Sequence, residues 1–192
     1  MAMRIIAGAA RGVELTAPAG SAVRPTAGRG REALFSILGS SFAGCRIADL
    51  FAGSGALGLE AASRGASAVT LVERDPLHCR AIRRNIEAVR RCGVAAEFEV
   101  VNADVLVPGR WTAAAAGAKV LFADPPYDDS AADFAKLFAA PEFRAAFPGA
   151  ELVWELPNRP GAAGLFAAPL DACGAEWELR KAGGVTFLRV KL

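Results

Sequence analysis

The sequence predicts an α/β fold, a mostly parallel β-sheet covered by helices on both faces. Three observations carry this expectation. From Ile47 onward, short apolar runs alternate with stretches of helical length and periodicity. A glycine-rich turn holding Gly53, Gly55 and Gly58 follows the first of these runs and opens a helix. Near the end, Gly183-Gly184 separates two strand-like runs, the mark of a hairpin and an antiparallel strand at the end of the sheet.

Taken in order, residues 4–23 are punctuated by Gly and Pro, and their short apolar pieces (Ile5-Ile6, and Val13 to Leu15) suit a small hairpin. Arg24-Pro25-Thr26 closes that arm, so residues 1–26 read as an arm and 27–192 as the main domain. Leu34, Ile37, Leu38 and Phe42 lie at helical spacing and predict a helix over 32–42. Strands are expected at 47–51, 69–73, 97–101, 120–123 and 152–156. Helices are expected over 53–64, 76–92 (with Pro76 in the first turn) and 131–140, and hairpin strands over 177–182 and 185–192.

Of 192 residues, 53% are hydrophobic and 22% charged, which suits one domain with a sizeable core and excludes global disorder. A net charge of +2 argues against an all-over basic surface, so any nucleic-acid contact must be a local patch. Cys45, Cys79, Cys92 and Cys173 are scattered and His78 stands alone, so neither a metal site nor a disulfide framework is expected. Reduced cysteines in or near the core are the expectation. Arg4 and Arg11 bracket a stretch too short for a signal peptide, and no apolar run reaches membrane-spanning length. We therefore expect a cytoplasmic protein.

The turn after the first strand carries the cofactor signal. Asp49 ends the strand, followed by Phe51, Ala52, Gly53, Ser54 and Gly55. G-x-G-x-x-G alone would fit a dinucleotide, but a carboxylate at Asp49 is unhelpful beside a pyrophosphate. It suits a cationic amine, while the helix N-terminus suits a carboxylate. S-adenosylmethionine carries both groups. Glu73, at the end of the next strand with Arg74 beside it, is placed to accept from ribose hydroxyls. Asp104, followed by Val105, is a third strand-end acid, suited to an adenine amino group.

Asp124-Pro125-Pro126-Tyr127 follows the strand at 120–123 and should face the same crevice. An exocyclic amine on a base is a poor nucleophile, because its lone pair is delocalised into the ring. A carboxylate and a main-chain carbonyl can accept its two N–H bonds and direct that lone pair at a methyl donor. Two prolines leave carbonyls without competing N–H donors, and Tyr127, the sole tyrosine, can stack on a base splayed from its helix. Methylation at a ring carbon would need a cysteine nucleophile, and none adjoins this segment. His78 reads as a bystander.

Together these segments resemble the bacterial small-subunit ribosomal RNA guanine-N2 methyltransferases, the RsmD family. The resemblance rests on residues 4–8, Arg11-Gly12, Arg24-Pro25-Thr26, residues 31–35, 49–55, 63–66 and 124–127. It departs at Gly28, where an acidic residue is usual, and Gly30 follows, which weakens the expected helix start. The resemblance implies a Rossmann-like, seven-stranded class I methyltransferase sheet. It also implies rRNA methylation, with a 16S rRNA guanine modified during small-subunit assembly by a monomeric, RNA-binding transferase. Arg4, Arg11, Arg24 and Arg31 would contact phosphates, as the arm's arginines outnumber Glu14. Arg80, Arg83, Arg84, Arg90 and Arg91 read as a solvated helix face.

Three other readings share some of these features. A DNA adenine-N6 methyltransferase uses the same tetrapeptide, but usually with an added target-recognition domain for which these residues leave no spare stretch. An NAD-dependent oxidoreductase shares the glycine turn, and Asp49 and Asp124 count against it. A non-catalytic RNA-binding assembly factor would have no need of both the cofactor and the amine-binding segments.

Overall fold

A computed structural model describes residues 3–17, 27–39, 41–126 and 129–192. Two short strands, β1 (Met3–Arg4) and β2 (Glu14–Leu15), pair antiparallel as the expected arm hairpin. Helix α1 (Ala27–Leu38) leads into a repeating strand–helix pattern: β3 (Arg46–Leu50), α2 (Ala56–Ser63), β4 (Ala68–Glu73), α3 (Pro76–Arg90) and β5 (Glu97–Asn102). After a single 3-10 turn come β6 (Val120–Ala123), α4 (Ser130–Ala139), α5 (Pro141–Ala146), β7 (Glu151–Leu156), α6 (Gly164–Ala172), β8 (Trp177–Ala182) and β9 (Val185–Lys191).

The main sheet has seven strands in the order β5-β4-β3-β6-β7-β9-β8. Strands β3 to β7 are mutually parallel, and β9 runs antiparallel between β7 and β8. The antiparallel strand therefore lies one position inside the edge, which β8 forms. The chain steps outward from β3 to β5, then returns to place β6 on the other side of β3. That reversal is the topological switch point, where a crevice opens beyond the strand ends.

Side chains alternate across the strands and divide the core in two. Ile47, Val69, Leu71, Phe122 and Val153 face a cluster shared by the arm, α1, α2 and α3. Ala48, Leu50, Leu121, Leu152 and Trp154 face the other, covered by α4, α5 and α6. The first helix starts at Ala27 and stops at Leu38, earlier at both ends than the apolar spacing predicts. Gly30 does not weaken its start: a Cβ there would lie 2.9 Å from Val185 Cγ2, so close packing on β9 requires glycine. The cysteines are free, but only Cys79 is buried and Cys45 half-buried. Cys92 and Cys173 are exposed, against the expectation that all four lie in or near the core. No helix among the described residues is long and apolar enough to cross a membrane.

Candidate active site

Every acid singled out in the sequence stands at the C-terminal end of a parallel strand, on the side where the crevice opens. Asp49 is the fourth residue of β3, paired in register with Phe122 of β6, so Asp124 leaves β6 beside the turn that follows β3. Glu73 ends β4, and Asp104 follows β5 by two residues.

Asp49 is 2% exposed, and its Oδ2 accepts the Gly58 N–H at 2.8 Å. That bond needs glycine at 58, because a Cβ there would lie 2.7 Å from Val69 Cγ1 and 3.1 Å from the carboxylate itself. Burial, with Asp124 and Glu73 adding like charge, raises the Asp49 carboxyl to about 8, while the Gly58 bond pulls the other way. A buried carboxyl of this kind gains most from a cation placed beside it, which is how the donor set here fits a methionine-like ammonium group.

The turn itself is tightly specified. Phe51 has φ 57° and is the one non-glycine residue with positive φ among the described residues; its ring meets Trp154 edge-on at 5.7 Å. Gly55 caps α2 in the left-handed region, where a Cβ would also strike Leu71. Ala52 donates to the Val72 carbonyl at 3.0 Å. Glu73 ties the turn to its own loop: Oε2 accepts from Gly53 N at 2.8 Å and Oε1 from Asp75 N at 2.9 Å. Each oxygen retains a lone pair for a further donor.

Asp104 Oδ1 accepts the Leu106 N–H at 2.9 Å, closing a turn, and the Val105 carbonyl takes the buried Trp111 indole N–H at 3.0 Å. Arg74 is exposed, and its carbonyl and that of Glu73 are gathered by Asn102 Nδ2. Asp124 is half-buried, Pro125 buried and Pro126 exposed. Below them, Trp154 Nε1 donates to the buried Ser130 hydroxyl at 3.0 Å and fixes the start of α4. Tyr127 lies outside the described residues. His78 sits half-buried 3.7 Å from Glu73 Oε1 and 3.8 Å from Asp75 Oδ2. No cluster of three metal-ligating side chains occurs among the described residues.

The arm arginines separate. Arg4 is exposed and paired with Glu14 at 3.3 Å, and Arg11 is exposed. Arg24 lies outside the described residues. Arg31 departs from the expectation of a phosphate contact. It is buried, donates to the Arg4 carbonyl and faces Glu60 across 3.9 Å, so its guanidinium fastens the arm from beneath. Burial lowers its pKa and Glu60 opposes that shift.

Glu60 and its neighbours hold the arm in place, a role that the sequence did not reveal. Glu60 is fully buried and accepts from Ile6 N at 2.7 Å, Ala7 N at 3.0 Å and Arg64 Nε at 2.8 Å. Ser63 Oγ donates to the Ala7 carbonyl at 2.6 Å and accepts from Ala10 N at 2.9 Å. Residues 63–66, which carry part of the family resemblance, thus include the arm's dock. Asn85, 1% exposed, accepts from Thr16 N at 2.8 Å and donates to the carbonyls of Thr16 and Ser54. It joins the arm to the cofactor turn directly. The signals were a lone acid in the apolar run of α2 and a lone amide between Ile82 and Ile86 on α3.

The strand order, the switch point and the acidic strand ends define a Rossmann-like class I methyltransferase fold. The chain belongs to the family described as Conserved hypothetical protein 95, whose pattern matches residues 3–152. Among its relatives, YlbH of Bacillus subtilis, named as a candidate rRNA methyltransferase, is 37% identical over 66% of this chain and 68% of its own length. Ribosomal RNA small subunit methyltransferase D of Escherichia coli K12 is 36% identical over 65% of this chain and 60% of its own. The solved structure of a hypothetical protein from Thermus thermophilus superimposes over 99% of both chains, with a TM-score of 0.69 and 34% identity.

Proposed function

We propose that this chain transfers a methyl group from S-adenosylmethionine to the exocyclic N2 amine of a guanine in 16S ribosomal RNA, within an assembling small subunit. The observation that carries the reading is the pairing of Asp49 and Asp124 at the ends of adjacent strands on either side of the switch point, in a family whose relatives bear rRNA methyltransferase names. When bound, the cofactor supplies an electrophilic methyl group on a sulfonium.

The chain's residues supply the rest. Asp49 holds negative charge for an ammonium, and Glu73 keeps lone pairs for hydroxyl donors. Asp124 accepts an N–H of the target amine and turns its lone pair toward the methyl. The carbonyl of Pro125 or Pro126, without a local amide competitor, accepts the second N–H. Tyr127 stacks on the splayed base, and Arg4, Arg11 and Arg24 reach phosphates, which fix register without reading sequence. The same tetrapeptide serves adenine in DNA, and the relatives' names favour RNA.

The test is transfer of labelled methyl to small subunits isolated without the modification, followed by mapping of the modified nucleotide. Label on a 16S rRNA guanine N2 is expected. Label on DNA adenine, or on no nucleic acid, overturns the reading.

A further inference from the structure

The two halves of the sequence carry opposite net charge. Residues 1–91, which include the arm, α1, α2 and α3, hold thirteen Lys and Arg against seven Asp and Glu, a net of +6. Residues 92–192, which supply α4, α5 and α6 on the other face, hold nine against thirteen, a net of −4. The overall +2 thus hides an uneven distribution of charge along the sequence.

Helix α3 concentrates this asymmetry. Its buried stripe, Cys79, Ile82, Ile86 and Val89, packs on the sheet, and Arg80, Arg83 and Arg84 stand exposed on the opposite side, with Arg91 at the C-cap. Arg80, Arg84 and Arg91 follow helical spacing and span roughly 16 Å. Among the described residues none of these four forms an ion pair, whereas Arg90 is paired with Glu87 at 3.1 Å. The helix begins three residues after Glu73, at the crevice, and runs away from it, while Asn85 on the same helix holds Thr16 of the arm. Arm and stripe therefore share one face, and the stripe starts about one turn from the crevice mouth.

We propose that Arg80, Arg84 and Arg91, with Arg83 alongside, seat the phosphates of the RNA strand flanking the base held in the crevice. This rests on the reading of RNA as substrate. Three exposed guanidinium groups in line, with a fourth alongside, suit a polyanion whose charges repeat along a strand. On this account the face read from sequence as merely solvated is the larger part of the RNA surface, since Arg31 is withdrawn beneath the arm.

The experiment compares wild type with the triple variant Arg80→Ala, Arg84→Ala, Arg91→Ala on a 16S rRNA transcript across a salt series. It adds steady-state methylation of small subunits and calorimetry with S-adenosylmethionine. Losing three phosphate contacts should weaken RNA binding about 100-fold at 0.1 M salt and reduce the log–log salt slope by roughly 2. KM for subunits should rise with kcat, cofactor affinity and thermal midpoint unchanged. A triple Arg→Lys variant should recover most of the salt slope, as the charge remains. An unchanged slope and KM in the alanine variant overturns the proposal. So does a loss confined to anionic vesicles or an acidic protein. Wild type that neither binds the transcript nor methylates RNA overturns the functional reading as well, which the variant alone would not.

Discussion

At Asp49 the fold encloses a carboxyl group that water would ionise near 3.8 and that burial holds protonated to about 8. Its folded pKa is raised, so this group's contribution to stability is complete below pH 4 and is lost as pH rises through about 8. A cation bound beside it reverses the preference, and binding must then release the proton. Affinity for S-adenosylmethionine should therefore increase between pH 6 and 7.5 in calorimetry, and Asp49→Asn should flatten that rise. A flat wild-type profile would separate Asp49 from the ligand's charge. Asp124 answers to a different measurement. In the proposed mechanism it acts on the acceptor amine, so Asp124→Ala should cut kcat more than tenfold, about 1.4 kcal/mol or more, while cofactor affinity stays within about twofold. Retained turnover would remove it from the chemistry. Glu73→Ala should weaken cofactor binding by about 1–3 kcal/mol, and part of that loss would come through the Gly53 and Asp75 N–H groups it now holds.

Among the elements, α2 has two duties: its first turn holds the Asp49 carboxylate through Gly58 and its last turn docks the arm. Glu60→Ala would leave Arg31 and Arg64 facing each other in the core without their shared carboxylate, and should cost about 3–5 kcal/mol in chemical denaturation. A loss under about 1 kcal/mol would show that the arm docks by apolar packing alone. Gly8→Ala attacks the same dock from the other side, since a Cβ at φ +82° would lie 1.8 Å from the Ser63 carbonyl oxygen. The elements legible in sequence were those with a strong local pattern. Strands β6 and β8 match the expected bounds residue for residue, and the strand-end positions of Asp49, Glu73, Asp104 and Asp124 were legible because strand ends follow from strand runs. Helices α5 and α6 were not foreseen. The first is only six residues long, and the second carries Pro169 inside it and lacks a regular apolar stripe. The early start of α1 depends on Gly30 meeting Val185, a contact across 155 residues that no local pattern reveals. Arg31 was misread for the same reason: its partner Glu60 is distant in sequence, and a charge whose partner cannot be seen looks like surface.

Across the whole molecule, the arm is held by side chains far along the chain. The Ile6, Ala7 and Ala10 amides end on Glu60 and Ser63, and the Thr16 amide on Asn85. These protons should exchange with solvent through a shared opening of lower free energy than β3 or β4, and Glu60→Ala should leave Ile6 and Ala7 almost unprotected. Exchange of the arm only by global unfolding would contradict this. The same wiring bears on how the protein is made. A ribosome delivers the arm before its anchors: Arg31 follows Arg4 by 27 residues, Glu60 follows Ala7 by 53 and Asn85 follows Thr16 by 69. Until α2 and α3 have left the exit tunnel and settled on the sheet, Ile5, Ala10 and Leu15 have no surface to bury against. The arm, made before the elements that hold it, thus settles late, and the glycine-rich turn gains its link through Asn85 to the arm only at that stage.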